Sequence, residues 1–278
     1  DNRECAIGTC VPEEYCSENN EEICVMRPGC EFNNGICSRV DQDCIHPYCS
    51  DIDKSLFPSD NYIETFEEIH ESENDKFGES IALNEVGDIL VVGAHIDNEP
   101  SYHSGSVYIY EKNSQGFWNK VVKIQPDDIQ ENDNFGKTVA ISGNTIVVGA
   151  TRIEGSGENY GRIYVYENIN GLWNQTYMVQ SQEMNDTFAA GIANIAISGD
   201  TIVIGAQGSS NPLVEGSHNL SGAVYIYQKD GNDWTQVSRI SKETPETADF
   251  FGVSVDIKGD TIVVGSKDGG DNAGAVYI

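Results

Sequence analysis

One hairpin is written into this chain four times. ISGNTIVVGA at 141–150 returns as ISGDTIVIGA at 197–206 and IKGDTIVVGS at 257–266, and more loosely as LNEVGDILVVGA at 83–94. Aligned on the glycine that ends each hairpin (Gly93, Gly149, Gly205 and Gly265), the copies stand 56–60 residues apart. That period suits propeller blades and is too long for most solenoid units. The apolar residues alternate or run continuously and never recur with the helical period, so the units are read as strands.

Each unit divides into four strands. Strand A follows an aromatic start, as in FGESIAL, FGKTVAI, FAAGIANIAI and FFGVSVDI. A tight Gly-Asp or Gly-Asn turn leads to strand B, whose β-branched run DTIVVGA predicts burial on both faces. Strand C carries paired tyrosines in GSVYIY (105–110), GRIYVY (161–166), GAVYIY (222–227) and, with one tyrosine, GAVYI (274–278). Strand D opens on a tryptophan in WNKVVKI (118–124), WNQTYMV (173–179) and WTQVSRI (234–240). The units run over about 77–134, 135–187, 188–250 and 251–278, and the last has no strand D. YIETFEEI (62–69) stands where a strand D belongs, with Tyr62 as far ahead of Phe77 as Trp173 is ahead of Phe188. The expectation is an all-β propeller over 62–278 whose last blade is completed by strand 62–69, because ring closure removes exposed sheet edges. Donation of that strand to a neighbouring copy is the competing arrangement, and a portion of a longer propeller is another.

The Phe-Gly start, GDTIVVGA and GAVYIY together resemble the FG-GAP repeat, found in the β-propeller of integrin alpha subunits and in many secreted and surface proteins. The resemblance covers about 62–278 and implies a propeller with a role in adhesion or protein–protein contact. Integrin members close with seven blades, whereas four units are present here. Calcium-binding members carry an Asp-x-Asp-x-Asp-Gly cage between strands A and B, which supplies the oxygen ligands this cation prefers. Here the links are SGNT, SGDT and KGDT, with NEVGD (84–88) the longer exception, so integrin-type calcium loops are not expected. No cofactor is expected.

All eight cysteines (Cys5, Cys10, Cys16, Cys24, Cys30, Cys37, Cys44 and Cys49) fall within residues 1–50. An even number this dense, among few large apolar residues, predicts a disulfide-rich module held by four bridges of undetermined pairing. Residues 51–61, SDIDKSLFPSDN with its leading Ser50 removed, read as a linker. Disulfides imply an oxidising compartment, and the sequons at Asn174, Asn185 and Asn219 agree with it. The chain is therefore expected to be extracellular, secreted or attached to a cell surface. No stretch is long and apolar enough to predict a membrane span.

Sixteen Lys and Arg stand against 45 Asp and Glu, a net charge of −29. Such a surface repels nucleic acid and anionic lipid and attracts basic partners or divalent cations. The carboxylates gather in the D–A and B–C loops, which leave a propeller by one face. Asp75, Asp127, Asp128, Asp133, Asp186, Asp249, Asp268 and Asp271 are the candidates for an acidic rim at which a basic partner docks or calcium bridges neighbours. The tryptophans and tyrosine pairs, fixed in each unit, read as packing between blades rather than sugar platforms. His95 with Asp97 is too small a set for a metal site and reads as solvated loop. KGD (258–260) is explained by its turn. No nucleophile, zinc or phosphate-loop motif is present, so no enzyme is expected. The reading is a non-enzymatic module for adhesion or for a surface or matrix assembly, with a filament among the options. A glycan-binding propeller, or a piece of a larger receptor or enzyme, are the alternatives.

Overall fold

The computed structural model describes residues 75–151, 161–180, 194–210, 220–267 and 273–278, together with the backbone of four short strands nearer the start. Two compact units result, Asp1–Glu67 and Glu68–Ile278. In the first, β1 (Arg3–Ala6) pairs with β2 (Thr9–Pro12), and β3 (Cys30–Asn33) with β4 (Ile36–Arg39). The antiparallel register sets Cys5 opposite Cys10. Cys16, Cys24, Cys44 and Cys49, the linker and the proposed closing strand 62–69 lie outside the described residues.

The second unit is the propeller. Blade 1 holds β5 (Ser80–Leu83), β6 (Ile89–Ala94), β7 (Ser106–Lys112) and β8 (Trp118–Ile124). Blade 2 holds β9 (Thr138–Ser142), β10 (Thr145–Ala150), β11 (Arg162–Ile169) and β12 (Leu172–Gln180). Blade 3 holds β13 (Ile195–Ser198), β14 (Thr201–Ala206), β15 (Ala223–Asp230) and β16 (Asp233–Ile240). Blade 4 holds β17 (Ser254–Lys258), β18 (Thr261–Ser266) and β19 (Ala275–Tyr277). All are antiparallel meanders in chain order. No α-helix occurs among the described residues.

The A–B turns of blades 2, 3 and 4 have two residues, and Gly143, Gly199 and Gly259 take φ of +53°, +54° and +57°. That left-handed geometry matches the twist of the flanking strands and favours glycine. The longer turn of blade 1 is held by Asn84, whose Oδ1 accepts the amides of Gly87, Asp88 and Ile89 at 3.0 Å each. Strands C and D share one irregularity in three blades, the register slipping after Ile109, Val165 and Ile226. A bulge at the same place bends each outermost strand and blunts its edge.

Packing lies between blades. β5 lies against β9, β9 against β13 and β13 against β17. Val91, Val107 and Ile109 of blade 1 meet Val139 and Ile141 of blade 2, together with Phe135. Ile163 and Val165 of blade 2 meet Ile195 and Ile197 of blade 3, and Val203 and Val224 of blade 3 meet Val255 and Ile257 of blade 4. Each fully buried Val or Ile contributes about 1.5–3 kcal/mol, so a seam is a substantial fraction of total stability. Phe135 and Phe251 belong to these seams, and both, like Phe77, also pack on strand C of their own blade. Phe135 stands edge-on to Tyr164 at 5.4 Å, Phe77 to Tyr108 at 5.4 Å and Phe251 to Tyr277 at 5.3 Å. The four inner strands line one cavity of about 430 Å³, Ile81, Val139, Ile195 and Val255 among its apolar residues.

Candidate functional site

The surface that a propeller offers to partners depends on how its loops are held, and here the seams hold them. The last residues of the B–C loop in one blade pair, in parallel, with the last residues of the D–A loop entering the next, at Gly105 with Phe135 and at Gly222 with Phe251. The amides of Asn132, Asn134 and Phe135 donate to the carbonyls of Tyr102, His103 and Ser104, and those of Phe250 and Phe251 to Leu220 and Ser221. Asn134 and Phe250 adopt φ of +49° and +48° here, and Lys76 at the same position takes +59°. Among the described residues, the two loop families are thus stitched together between blades 1 and 2 and between blades 3 and 4.

At the opposite face the A–B turns are also linked. Glu85 accepts from the Ser142 hydroxyl and, at 2.8 Å, from the Gly143 amide. The Ser142 hydroxyl in turn accepts from the Gly199 amide at 3.0 Å, and Ser198 from the Gly259 amide at 3.2 Å. The bonds from the Ser142 hydroxyl and the Gly143 amide hold the Glu85 carboxyl below its ordinary pKa. Asn84 and Glu85, the best oxygen donors of the longest A–B turn, are thus occupied by the turn and by the next blade.

The acidic rim needs correction. Asp75, Asp133 and Asp249 are 6%, 1% and 0% exposed and do not face solvent. Asp133 Oδ2 accepts the Gln130 amide at 2.8 Å, while Asp249 accepts the Glu246 amide at 2.6 Å and an ion pair from Lys242 at 2.8 Å. They bind the loop back on itself ahead of the aromatic start. Asp127 and Asp128 are exposed, as are Glu131, Glu243 and Glu246 in the same loop family. Asp128 is tied to Arg162 at 2.7 Å, which also donates to the Tyr164 hydroxyl. Asp186, Asp268 and Asp271 lie outside the described residues, as do Asn185 and Asn219; Asn174 is exposed on β12.

His95 is not a solvated loop residue either. It is 4% exposed, and its Nε2 accepts from the Lys137 ammonium across the blade 1–2 seam at 3.0 Å. Lys137 also pairs with Glu79 at 3.0 Å. Because an ammonium only donates, Nε2 carries no proton and Nδ1 does. Burial, with the Lys137 charge adding to it, pulls the His95 pKa down to about 4. Its neighbour Asp97 is 1% exposed and serves a different network. Lys123 pairs with it at 2.8 Å, Ser106 donates at 2.6 Å and the Glu99 amide at 3.0 Å. Burial alone would raise the Asp97 pKa, but these partners outweigh it and hold the carboxyl low. Among the described residues, no group of three or more His, Cys, Asp or Glu side chains is arranged to hold a metal ion.

The glycines of the repeat carry a signal that strand patterning alone does not show. A Cβ on Gly93 would stand 2.1 Å from the Gly136 carbonyl oxygen, and one on Gly205 1.9 Å from that of Gly252. A Cβ on Gly105 would stand 2.2 Å from the Phe135 carbonyl oxygen, and one on Gly222 2.1 Å from that of Phe251. The motif glycines are the points where one blade's backbone touches the next. The FG-GAP repeat model matches four times, at residues 71–110, 118–166, 184–227 and 234–278. The chain belongs to the FG-GAP repeat family. No curated protein matches it. Among solved structures, a protein from Lactobacillus plantarum matches at 10% identity and a TM-score of 0.34, over 71% of this chain and 55% of that one. The chain thus spans about half the length of that protein. In this FG-GAP propeller the name of the repeat marks seam contacts at two of its copies: Phe135 and Phe251 pack between blades, and Gly136 and Gly252 meet the preceding blade's backbone.

Proposed function

We propose that this FG-GAP chain is a non-enzymatic, extracellular interaction module, used in adhesion or as a structural subunit of a surface or matrix assembly. One observation supports the reading most directly: the D–A loops, stitched to the B–C loops by backbone hydrogen bonds, present Asp127, Glu131, Glu243 and Glu246 exposed on one face. A rigid platform with one sign of charge suits a basic protein partner, since complementary charge raises the encounter rate and disfavours wrong partners. Reversing those four carboxylates to lysine in the full chain tests this. Proteins captured from the surface of producing cells should be lost from the variant while its thermal unfolding stays unchanged. Capture indifferent to the reversal, and to added salt, would overturn the reading.

A further inference from the structure

We propose that Asn174 carries an N-linked oligosaccharide, and that this glycan guards the outer edge of blade 2 against pairing with other chains. The inference rests on the extracellular part of the reading above and adds to it a modification and its purpose.

Strand D is the last strand of its sheet in blades 1, 2 and 3, and among the described residues nothing pairs with its outer side. Such an edge is a template for other strands unless charge or irregularity blunts it. β8 carries Lys120 and Lys123, and β16 carries Asp233 and Arg239. β12, LWNQTYMVQ, is the longest of the three and has no charge in its nine residues, in a chain where 22% of residues are charged. It has aromatic and β-branched residues and neither proline nor glycine, a composition suited to strand-to-strand aggregation. Leu172 and Met178 are exposed along it. Met178 stands opposite Tyr164, where Lys123 and Arg239 stand opposite Tyr108 and Tyr225. The bulge is common to all three edges, so it does not make up for the missing charge.

That bulge leaves one residue of each strand D without a partner across the ladder: Val121, Thr176 and Val237. Blade 2 thus sets a hydroxyl where blades 1 and 3 set a valine. The Thr176 Oγ1 is shut off from solvent, and among the described residues no hydrogen bond reaches it. A buried hydroxyl without a partner costs stability, so the fold gives no reason for threonine here. Glycan transfer does. Asn174-Gln175-Thr176 is an acceptor sequence, whose third residue must carry a hydroxyl. Asn174 is exposed on β12, and its Nδ2 donates to the Leu172 carbonyl at 2.8 Å, a bond that uses one of its two hydrogens. The other is replaced on transfer. Nδ2 gains a bond to C1 of an oligosaccharide, the bond from that carbon to the diphosphate of its lipid carrier breaks, and one amide proton is lost to solvent. The bulky, hydrated group then keeps a second strand from the edge.

Peptide mass spectrometry of the natural protein tests occupancy, before and after the amidase that releases N-linked glycans and leaves an aspartate at each occupied asparagine. Asn174 should be occupied. In variants of the full chain made by the same cells, Thr176→Ser should keep the glycan and Thr176→Val should lose it. By sedimentation velocity, Thr176→Val should form larger species than the parent at the same concentration. Adding Gln175→Lys, which turns WNQT into the WNKV of blade 1, should bring back the parent's distribution. An unmodified Asn174 overturns the proposal. Modified Asn185 or Asn219, or oxidised cysteines, in that same protein would leave the extracellular reading standing, and their absence would overturn both. An occupied Asn174 whose loss in Thr176→Val leaves sedimentation unchanged overturns the guarding role.

Discussion

Gly93 faces the Gly136 carbonyl so closely that a Cβ on Gly93 would lie 2.1 Å from that oxygen. Its φ is not in the left-handed region, so contact between blades, not local conformation, selects glycine there. Gly265 holds the same place in blade 4 and meets no backbone atom within 3.4 Å, only the Ser254 hydroxyl, which can turn away.

The two positions therefore give opposite outcomes for one substitution. Gly93→Ala forces blades 1 and 2 apart and should cost about 3 kcal/mol or more, as overpacking against fixed backbone does. Gly265→Ala should cost about 1 kcal/mol or less. Urea unfolding of both variants checks this, and equal losses would mean that the seam is not what selects glycine.

A second outcome concerns pH. His95 has a folded pKa of about 4 against 6.5 when unconstrained. Between those values the unfolded chain binds a proton that the folded chain does not, so stability falls as pH drops from about 6.5 towards 4 and no further below it. The shift corresponds to about 3 kcal/mol at most. His95→Gln keeps an acceptor for Lys137 and removes the titration. Unfolding free energies measured at several pH values between 7 and 4 should converge for the two proteins as pH falls. Parallel profiles would show that His95 titrates normally.

Lys123 and Asp97 supply a third. Lys123 is paired with a carboxylate that is 1% exposed, and the equivalent position in blade 2 is Met178. Lys123→Met leaves the buried Asp97 with neutral donors, the Ser106 and Tyr108 hydroxyls and the Glu99 amide, and should cost about 3–5 kcal/mol. Blade 3 has Ser209 where blade 1 has Asp97, so adding Asp97→Ser should recover much of that loss. Thermal and urea unfolding of the single and double variants measure the recovery.

Much of the blade was legible in the sequence because strand patterning is local. WNKVVKI at 118–124 is strand β8 to the residue, and the two-residue A–B turns follow from their Gly-Asn and Gly-Asp pairs. What was hidden depends on the neighbouring blade or on loop geometry. Nothing in the identity of Phe250 announces φ of +48°; it belongs to the tight turn in which the Val253 amide donates back to the Phe250 carbonyl, as Lys137 does to Asn134 and Glu79 to Lys76. Asp75, Asp133 and Asp249 looked like solubilising charge but are buried. Each precedes its aromatic by two residues, as Asp186 precedes Phe188. A carboxylate that merely solubilises a loop has no reason to keep a fixed offset, so recurrence was the usable signal. His95 offered none, because its partner Lys137 lies in another blade.

Asp256 stands where Ala140 and Ala196 are each 8% exposed within internal seams, yet Asp256 is exposed. Its Oδ1 accepts the Ile257 amide at 2.9 Å, a bond within its own strand. One exchange should therefore have opposite outcomes at equivalent positions. Asp256→Ala should change stability by less than about 0.5 kcal/mol, as exposed substitutions do. Ala140→Asp sets an unpaired carboxylate in a filled seam and should cost about 3 kcal/mol or more. Urea unfolding of the two variants decides it, because equal losses would show that the internal seams tolerate a carboxylate.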